Sequence, residues 1–292
     1  MKGAAVDSNP PAVADISQHR VTRRRLLQGA AAALVAGAVS TPYTFHAHVT
    51  RRTIWLRDLP PGWDGITALH LSDFHRGPLV SALYMRGVFD HARRLPHDIA
   101  FFTGDFVSVS AGYIGEMCDW MRHWPAPLGS YAVLGNHDHY TDAARISAAV
   151  EAVGIPVLSN RSVSLSRNGS HLRLVGVDDP STSKQDYGAA MRDVEKGAFR
   201  LMLAHSPDIV WHFGQGDIDL VLSGHTHGGQ VCLPGGQALV CPTSLGVDYA
   251  SGMFLWRGAK LFVNRGLGVT AFPLRAFCPP EIALLTLKRG TG

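Results

Sequence analysis

The sequence predicts an α/β domain, and three observations carry that prediction. Short apolar runs alternate with stretches of helical period. At 292 residues and 46% hydrophobic, the chain is long enough to bury a substantial core. The runs also close repeatedly on Gly, Asp, Asn or His, which suits the edge of a sheet that carries a site. Charged residues are only 17% and glycines number 31, so the chain reads as compact and loop-rich, neither disordered nor fibrous.

Taken in order, the runs at 66–72 (ITALHLS), 98–103 (DIAFFT), 131–135 (YAVLG), 172–177 (LRLVGV), 200–204 (RLMLA) and 218–223 (IDLVLS) have the length and content of buried strands. Between them, 80–95, 114–124 and 141–154 carry helical spacing. Thr141 or Asp142 is placed to cap the last of these, and Gly154 to stop it. Residues 163–174 read as a hairpin turning near Asn168-Gly169. "KLFVNRGLG" and "PPEIALLTL" add two strands towards the C-terminus. There is no internal repeat and no long linker, so one domain is the economical interpretation.

Residues 1–48 have a different character. From Thr22 to Ser40 a charged start leads into an Ala/Gly-rich stretch. Gly29 to Val39 is short for a membrane span and fits the apolar part of an export signal; an uncleaved anchor is the other option. Thr22-Arg23-Arg24-Arg25-Leu26-Leu27 resembles a twin-arginine export signal, with Leu where Phe is common. That likeness implies the export machinery as a partner, and a protein exported across the cytoplasmic membrane or anchored to it. The expected division is a signal or anchor over 1–48 and a single domain over 49–292.

The net charge of +4 sits mostly in this leader, where Lys2, Arg20, Arg23, Arg24 and Arg25 face only Asp7 and Asp15. The remainder carries 22 basic and 21 acidic residues, so it has no basic track and no nucleic-acid partner is expected. Cys118, Cys232, Cys241 and Cys278 lack CxxC spacing, which argues against a zinc ribbon. Cys232 and Cys241 flank "LPGGQALV", a hairpin that a disulfide could close in an exported protein. Free buried thiols are the alternative.

Fifteen histidines are the first hint of metal chemistry. The stronger one is where they fall. Run 66–72 ends in Asp73-Phe74-His75, run 98–103 in Gly104-Asp105, and run 131–134 in Gly135-Asn136-His137-Asp138. Run 200–204 ends in His205, and run 218–223 in Gly224-His225-Thr226-His227. Any one of these is weak, and a single strand-end His is more often a hydrogen-bonded loop residue. His70, His91, His97, His123, His171 and His212 are read that way. Asn136 taken alone could be a turn residue, and Asp138 a helix cap.

The five together, in the order DxH, GD, GNHD, H, GHTH, resemble the calcineurin-like metallophosphoesterases over roughly residues 53–287. "LSGHTHGGQVCLPG", "FVNRGLG" and "PLRAFCPPEI" are similar to a subgroup of envelope phosphodiesterases exported by the twin-arginine route. The family likeness implies a two-sheet αββα sandwich with a single catalytic domain. It implies two divalent ions, with Asp73, His75 and His227 on one, Asn136, His205 and His225 on the other, and Asp105 bridging. Mixed N and O donors suit Mn, Fe or Zn better than Mg or Ca, with Mn favoured. The reaction implied is hydrolysis of a phosphodiester or pyrophosphate by metal-activated hydroxide. His137 is expected to donate a proton to the leaving oxygen or to stabilise charge, and Asp138 to orient His137.

Beyond these residues the sequence says less. Arg76, His139, Arg265 and Arg275 could each meet a substrate phosphate, or equally bond loop carbonyls. "EMCDWMRHWP" (116–125) could form an apolar lip for a lipid-like leaving group, although a helix packed on the sheet is the plainer assignment. The expected substrate is a phosphoester, with a lipid or cell-wall precursor in view. The alternatives are a nuclease and a non-catalytic metal-binding envelope protein.

Overall fold

The computed structural model describes residues 44–291, so the segment expected to be a twin-arginine leader lies outside the described residues. Strands β1 (His48–Leu56), β2 (Thr67–Leu71), β3 (Ile99–Thr103), β4 (Ser130–Val133) and β11 (Glu281–Arg289) form one sheet in the order β1-β11-β2-β3-β4. A second sheet takes β5 (Arg161–Arg167), β6 (Ser170–Val177), β7 (Arg200–Ala204), β8 (Leu220–Ser223), β9 (Gly252–Trp256) and β10 (Ala259–Val263) in the order β5-β6-β7-β8-β10-β9. β2, β3 and β4 are parallel, as are β6, β7, β8 and β10. The helices are α1 (Ala82–Arg94), α2 (Ile114–Met121), α3 (Asn136–Thr141), α4 (Ala143–Ala152) and α5 (Tyr187–Met191). Among the described residues no helix is long and apolar enough to cross a membrane.

The apolar runs explain the layering. In β3, Ile99 and Phe101 enter the core between the sheets, while Ala100 and Phe102 face α1, α2 and α4. In β7, Leu201 and Leu203 point into that same inner core, and Met202 and Ala204 into an outer one. A strand buried on both faces needs a continuous apolar run, which is why these segments do not alternate. The result is the expected αββα sandwich. Helix α1 shows the matching helical logic: Ser81 caps it by accepting from the Tyr84 N–H at 3.2 Å, and Met85, Val88, Phe89 and Ala92 bury one face.

Several expectations need correction. The 114–124 helix ends at Met121, and its Met and Trp residues face inward, with Met117 and Met121 fully buried and Trp124 edge-on to Phe102 at 5.4 Å. It is no lip. The 141–154 helix is present as α4, with Asp142 capping it by accepting from the Arg145 N–H at 3.0 Å, but GNHD opens a separate short helix before it, α3, that the predicted elements lack. β1 and β9, both at sheet edges, have no counterpart in the predicted strands. Cys232 pairs across its turn with Ala238 in an isolated bridge, and all four cysteines are free, so of the two alternatives left open for Cys232 and Cys241 the structure has the free thiols.

Candidate metal centre

Parallel pairing sends the carboxyl ends of β2, β3, β4, β6, β7 and β8 to one edge of the sandwich, so residues distant in sequence meet there. The two sheets are tied together at this edge. His205, after β7, puts Nδ1 2.6 Å from the Thr103 carbonyl at the end of β3. Asn264, after β10, donates its Nδ2–H to the His70 carbonyl at 3.1 Å.

One group gathers Asp73, His75, Asp105 and His227, whose ligand atoms all lie within 4.8 Å of one another. His75 Nε2 is 2.9 Å from His227 Nε2 and 3.2 Å from Asp105 Oδ2, and His227 Nε2 is 3.4 Å from Asp73 Oδ1. A second group adjoins it: Asn136 Oδ1 lies 3.2 Å from His205 Nε2 and 3.0 Å from His225 Nδ1. Asp105 Oδ2 is also 3.2 Å from His205 Nε2, so one carboxylate oxygen faces both groups. All seven residues expected to hold metal are thus brought to one place.

The backbone has been bent to achieve this. Asp73, His75, Asp105, His225 and His227 all have φ between 50° and 68°. That left-handed region is uncommon for residues with a side chain and costs each about 1–2 kcal/mol. Strain concentrated in this way persists only where the surroundings over-determine it, and such places are usually functional. The leading glycines of GNHD and GHTH have a different reason. A Cβ on Gly135 would sit 2.3 Å from Asp105 Oδ1, and one on Gly224 2.2 Å from Asp73 Oδ2. No other residue fits against these carboxylates.

The electrostatics suit a cation. Burial opposes charge on Asp105, but the His205 and His75 rings outweigh it and hold the carboxyl well below its usual range. Burial likewise opposes charge on His205, yet Asp105 and then Asp73 hold that imidazole well above its usual range. The space between these groups therefore draws positive charge, which a divalent ion supplies more fully than a proton. His227 is kept neutral, as a ligand must be, by burial and by the neighbouring His75 and Arg275. Four imidazoles, a side-chain amide and two carboxylates, Asp105 shared between the groups, fit the implied pair of ions.

His137 stands beside this cluster. Its ring meets the His75 ring edge-on at 4.7 Å, its Nδ1 is 3.0 Å from the Ser108 carbonyl, and its backbone N–H donates to Asp105 Oδ1 at 2.8 Å. Asp138 does not orient it. The buried Asp138 carboxylate instead accepts from the backbone N–H groups of Gly135 at 2.9 Å, Phe106 at 2.9 Å and Val107 at 3.4 Å. It clasps the loop after β3 to the start of α3. Burial, and next the Asp105 carboxylate, push Asp138 up to about 7.

Two of the arginines weighed for phosphate are engaged elsewhere. Arg76 pairs with Glu116 at 2.9 Å and donates to the Gly77 and Val80 carbonyls. Arg275 is fully buried and donates to the carbonyls of Gly268, Arg265, His227 and Cys278. Arg265 lies 3.6 Å from Glu281, and its buried Nε makes no hydrogen bond. His139 holds Asp178 at 2.6 Å; that hydrogen bond, against the opposing effect of burial, raises its pKa. Asp178 and Asp179 were missed from sequence, although they close the run at 172–177 on the same edge.

Comparison with known proteins agrees with this geometry. Residues 66–229 match the family model described as calcineurin-like phosphoesterase. The chain belongs to the calcineurin-like phosphoesterase family. An uncharacterized metallophosphoesterase of Bacillus subtilis (strain 168), YkuE, is 30% identical over 92% of this chain and 98% of its own length. An uncharacterized metallophosphoesterase of Aquifex aeolicus (strain VF5) is 29% identical over 88% of this chain and 97% of its own. A Bos taurus transmembrane protein with metallophosphoesterase domain is 30% identical over 91% of this chain and 64% of its own. This calcineurin-like phosphoesterase therefore carries a candidate centre for divalent metal at its strand ends.

Proposed function

We propose that the chain is a dimetal phosphodiesterase of the cell envelope, using Mn in preference, that cleaves a phosphodiester or pyrophosphate of lipid or wall-precursor type. The observation that carries this is Asp105 Oδ2, 3.2 Å from His75 Nε2 and 3.2 Å from His205 Nε2, with His137 beside it and outside both donor groups. Bound ions would supply the positive charge that acidifies water and offsets charge growing on the phosphate oxygens. Asp73, His75, Asp105 and His227 would hold one, and Asp105, Asn136, His205 and His225 the other.

The chain's own residues supply the rest. The Ser108 carbonyl engages His137 Nδ1, so Nε2 is the nitrogen left to hold a proton and pass it to the leaving oxygen. Arg76 and Arg275 are committed to protein partners, which supports a singly charged diester over a dianionic monoester. Val109 and Tyr140 are both exposed near His137, and the Tyr140 ring is 5.8 Å from it, which suits an apolar leaving group. The Bos taurus relative is by name a transmembrane protein, and this favours a membrane setting.

The test is Mn-loaded protein assayed on bis(p-nitrophenyl) phosphate and p-nitrophenyl phosphate, then on vesicles carrying lipid phosphodiesters. The diester should lead in kcat/KM by about tenfold or more, ~1.4 kcal/mol in barrier. Chelation should abolish turnover and Mn restore it. Hydrolysis of the monoester alone, or turnover indifferent to chelation, would overturn the proposal.

A further inference from the structure

Two buried thiols meet directly behind the His227 turn. Cys232 Sγ–H donates to the Gly228 carbonyl at 3.1 Å. Cys278 Sγ is 3.4 Å from that same carbonyl and 3.2 Å from the carbonyl of His227. Both sulfurs thus converge on one carbonyl oxygen, that of Gly228. The backbone sets up this meeting: Val231 bridges Ala276 in parallel, and the Cys232 N–H donates to the Ala276 carbonyl at 2.9 Å. Cys241, the partner suggested by spacing, lies beyond the turn that Cys232 closes with Ala238.

We propose that Cys232 and Cys278 are a redox pair whose oxidation to a disulfide staples the turn behind His227 to the C-terminal segment 275–278 and so slows loss of metal from the centre. Each thiol gives up a proton and an electron as the new S–S bond forms. A small-molecule disulfide such as oxidised glutathione is the oxidant; its S–S bond breaks and its two sulfurs leave as thiols. An oxidising compartment, such as the proposed export would reach, favours the product. Neither the substrate nor the catalytic step enters this chemistry.

The consequence for metal follows from what the two segments hold. Arg275, in the C-terminal segment, donates to the His227 carbonyl at 3.2 Å and lies 3.3 Å from His227 Nδ1. Gly228 and Gly229, between His227 and Cys232, have φ of 62° and 82°, a tight turn that must open if His227 is to swing away. A covalent link from Cys232 to Cys278 holds that turn against the arginine's segment. Opening is restrained, and release of the ion with it.

The test equilibrates the full chain with oxidised or reduced glutathione, blocks remaining thiols, and maps linked peptides by mass spectrometry. Oxidation should remove two blockable thiols and link the peptides holding residues 232 and 278. Chelator-driven release of Mn, followed by the chelator's absorbance, should slow roughly fivefold or more on oxidation. Cys232→Ser should abolish the link and keep the reduced release rate; Cys241→Ser should behave as the parent. Cys278→Ser, checked for folding by circular dichroism, is the reciprocal control. A Cys232–Cys241 link, free thiols in full oxidant, or unchanged metal release in the linked protein would each overturn the proposal.

Discussion

At the scale of the residue, Asp105 faces the greatest demand, because both donor groups share its Oδ2. Asp105→Asn replaces a carboxylate with an amide that cannot serve two cations. It should lose most bound metal and about a thousandfold or more in rate, ~4 kcal/mol in barrier. Metal analysis with kinetics checks this, and full activity with a single ion bound would refute the two-ion scheme. His137→Ala should keep both ions and lose roughly 10²–10⁴ in rate, least with nitrophenolate, which leaves without a proton. Equal losses for nitrophenolate and alkoxide leaving groups would make His137 a charge stabiliser, and lost metal would make it a ligand. Residue type and order were legible here because metal chemistry restricts donors to a few side chains. Conformation was not. Nothing local in Asp73-Phe74-His75 announces two left-handed residues, and Asp138's partners Phe106 and Val107 lie 32 and 31 positions away.

At the scale of the element, legibility followed burial. β3, β7 and β8 are apolar on both faces and stand out as runs, whereas edge strand β1 exposes Arg51, Arg52 and Thr53 and shows no such run. The start of α3 was hidden because a metal ligand, a proton donor and a capping carboxylate share four residues, and function masks the helical pattern. Asp138 gives this element its own test. Asp138→Asn puts an amide NH₂ against backbone donors on one side of the clasp. Unfolding stability should fall by about 1–3 kcal/mol, the usual range for a buried group left unpaired. Chemical denaturation measures it, with metal content and leaving-group dependence followed in parallel. A variant of parental stability that lost rate in the His137 pattern would show Asp138 to be catalytic after all.

At the scale of the whole molecule, the site is a property of two sheets together. Asp73, His75, Asp105 and Asn136 come from one, and His205, His225 and His227 from the other, so no site exists before the sandwich has formed. Metal binding is then linked to folding: an ion at a hundredfold excess over its Kd stabilises by ~2.7 kcal/mol. Chelation should lower Tm by several degrees, and a Tm indifferent to chelation would show that these ligands hold no ion. The same linkage bears on the proposed leader. A chain that must fold to take its metal gains from export after folding, since it can then load its ions where the cell controls supply, ahead of competitors higher in the Irving–Williams order. Arg23 and Arg24, followed by a stretch that is only mildly apolar, suit a pathway that carries folded proteins. Arg23→Lys with Arg24→Lys should leave a folded, metal-loaded, active enzyme in the cytoplasm. Arg24-Arg25 could serve in a shifted register, so the variant that also carries Arg25→Lys is the control. Fractionation read by activity and immunoblot decides it: undiminished export of the triple variant, or export that proceeds only through the route for unfolded chains, would defeat the idea.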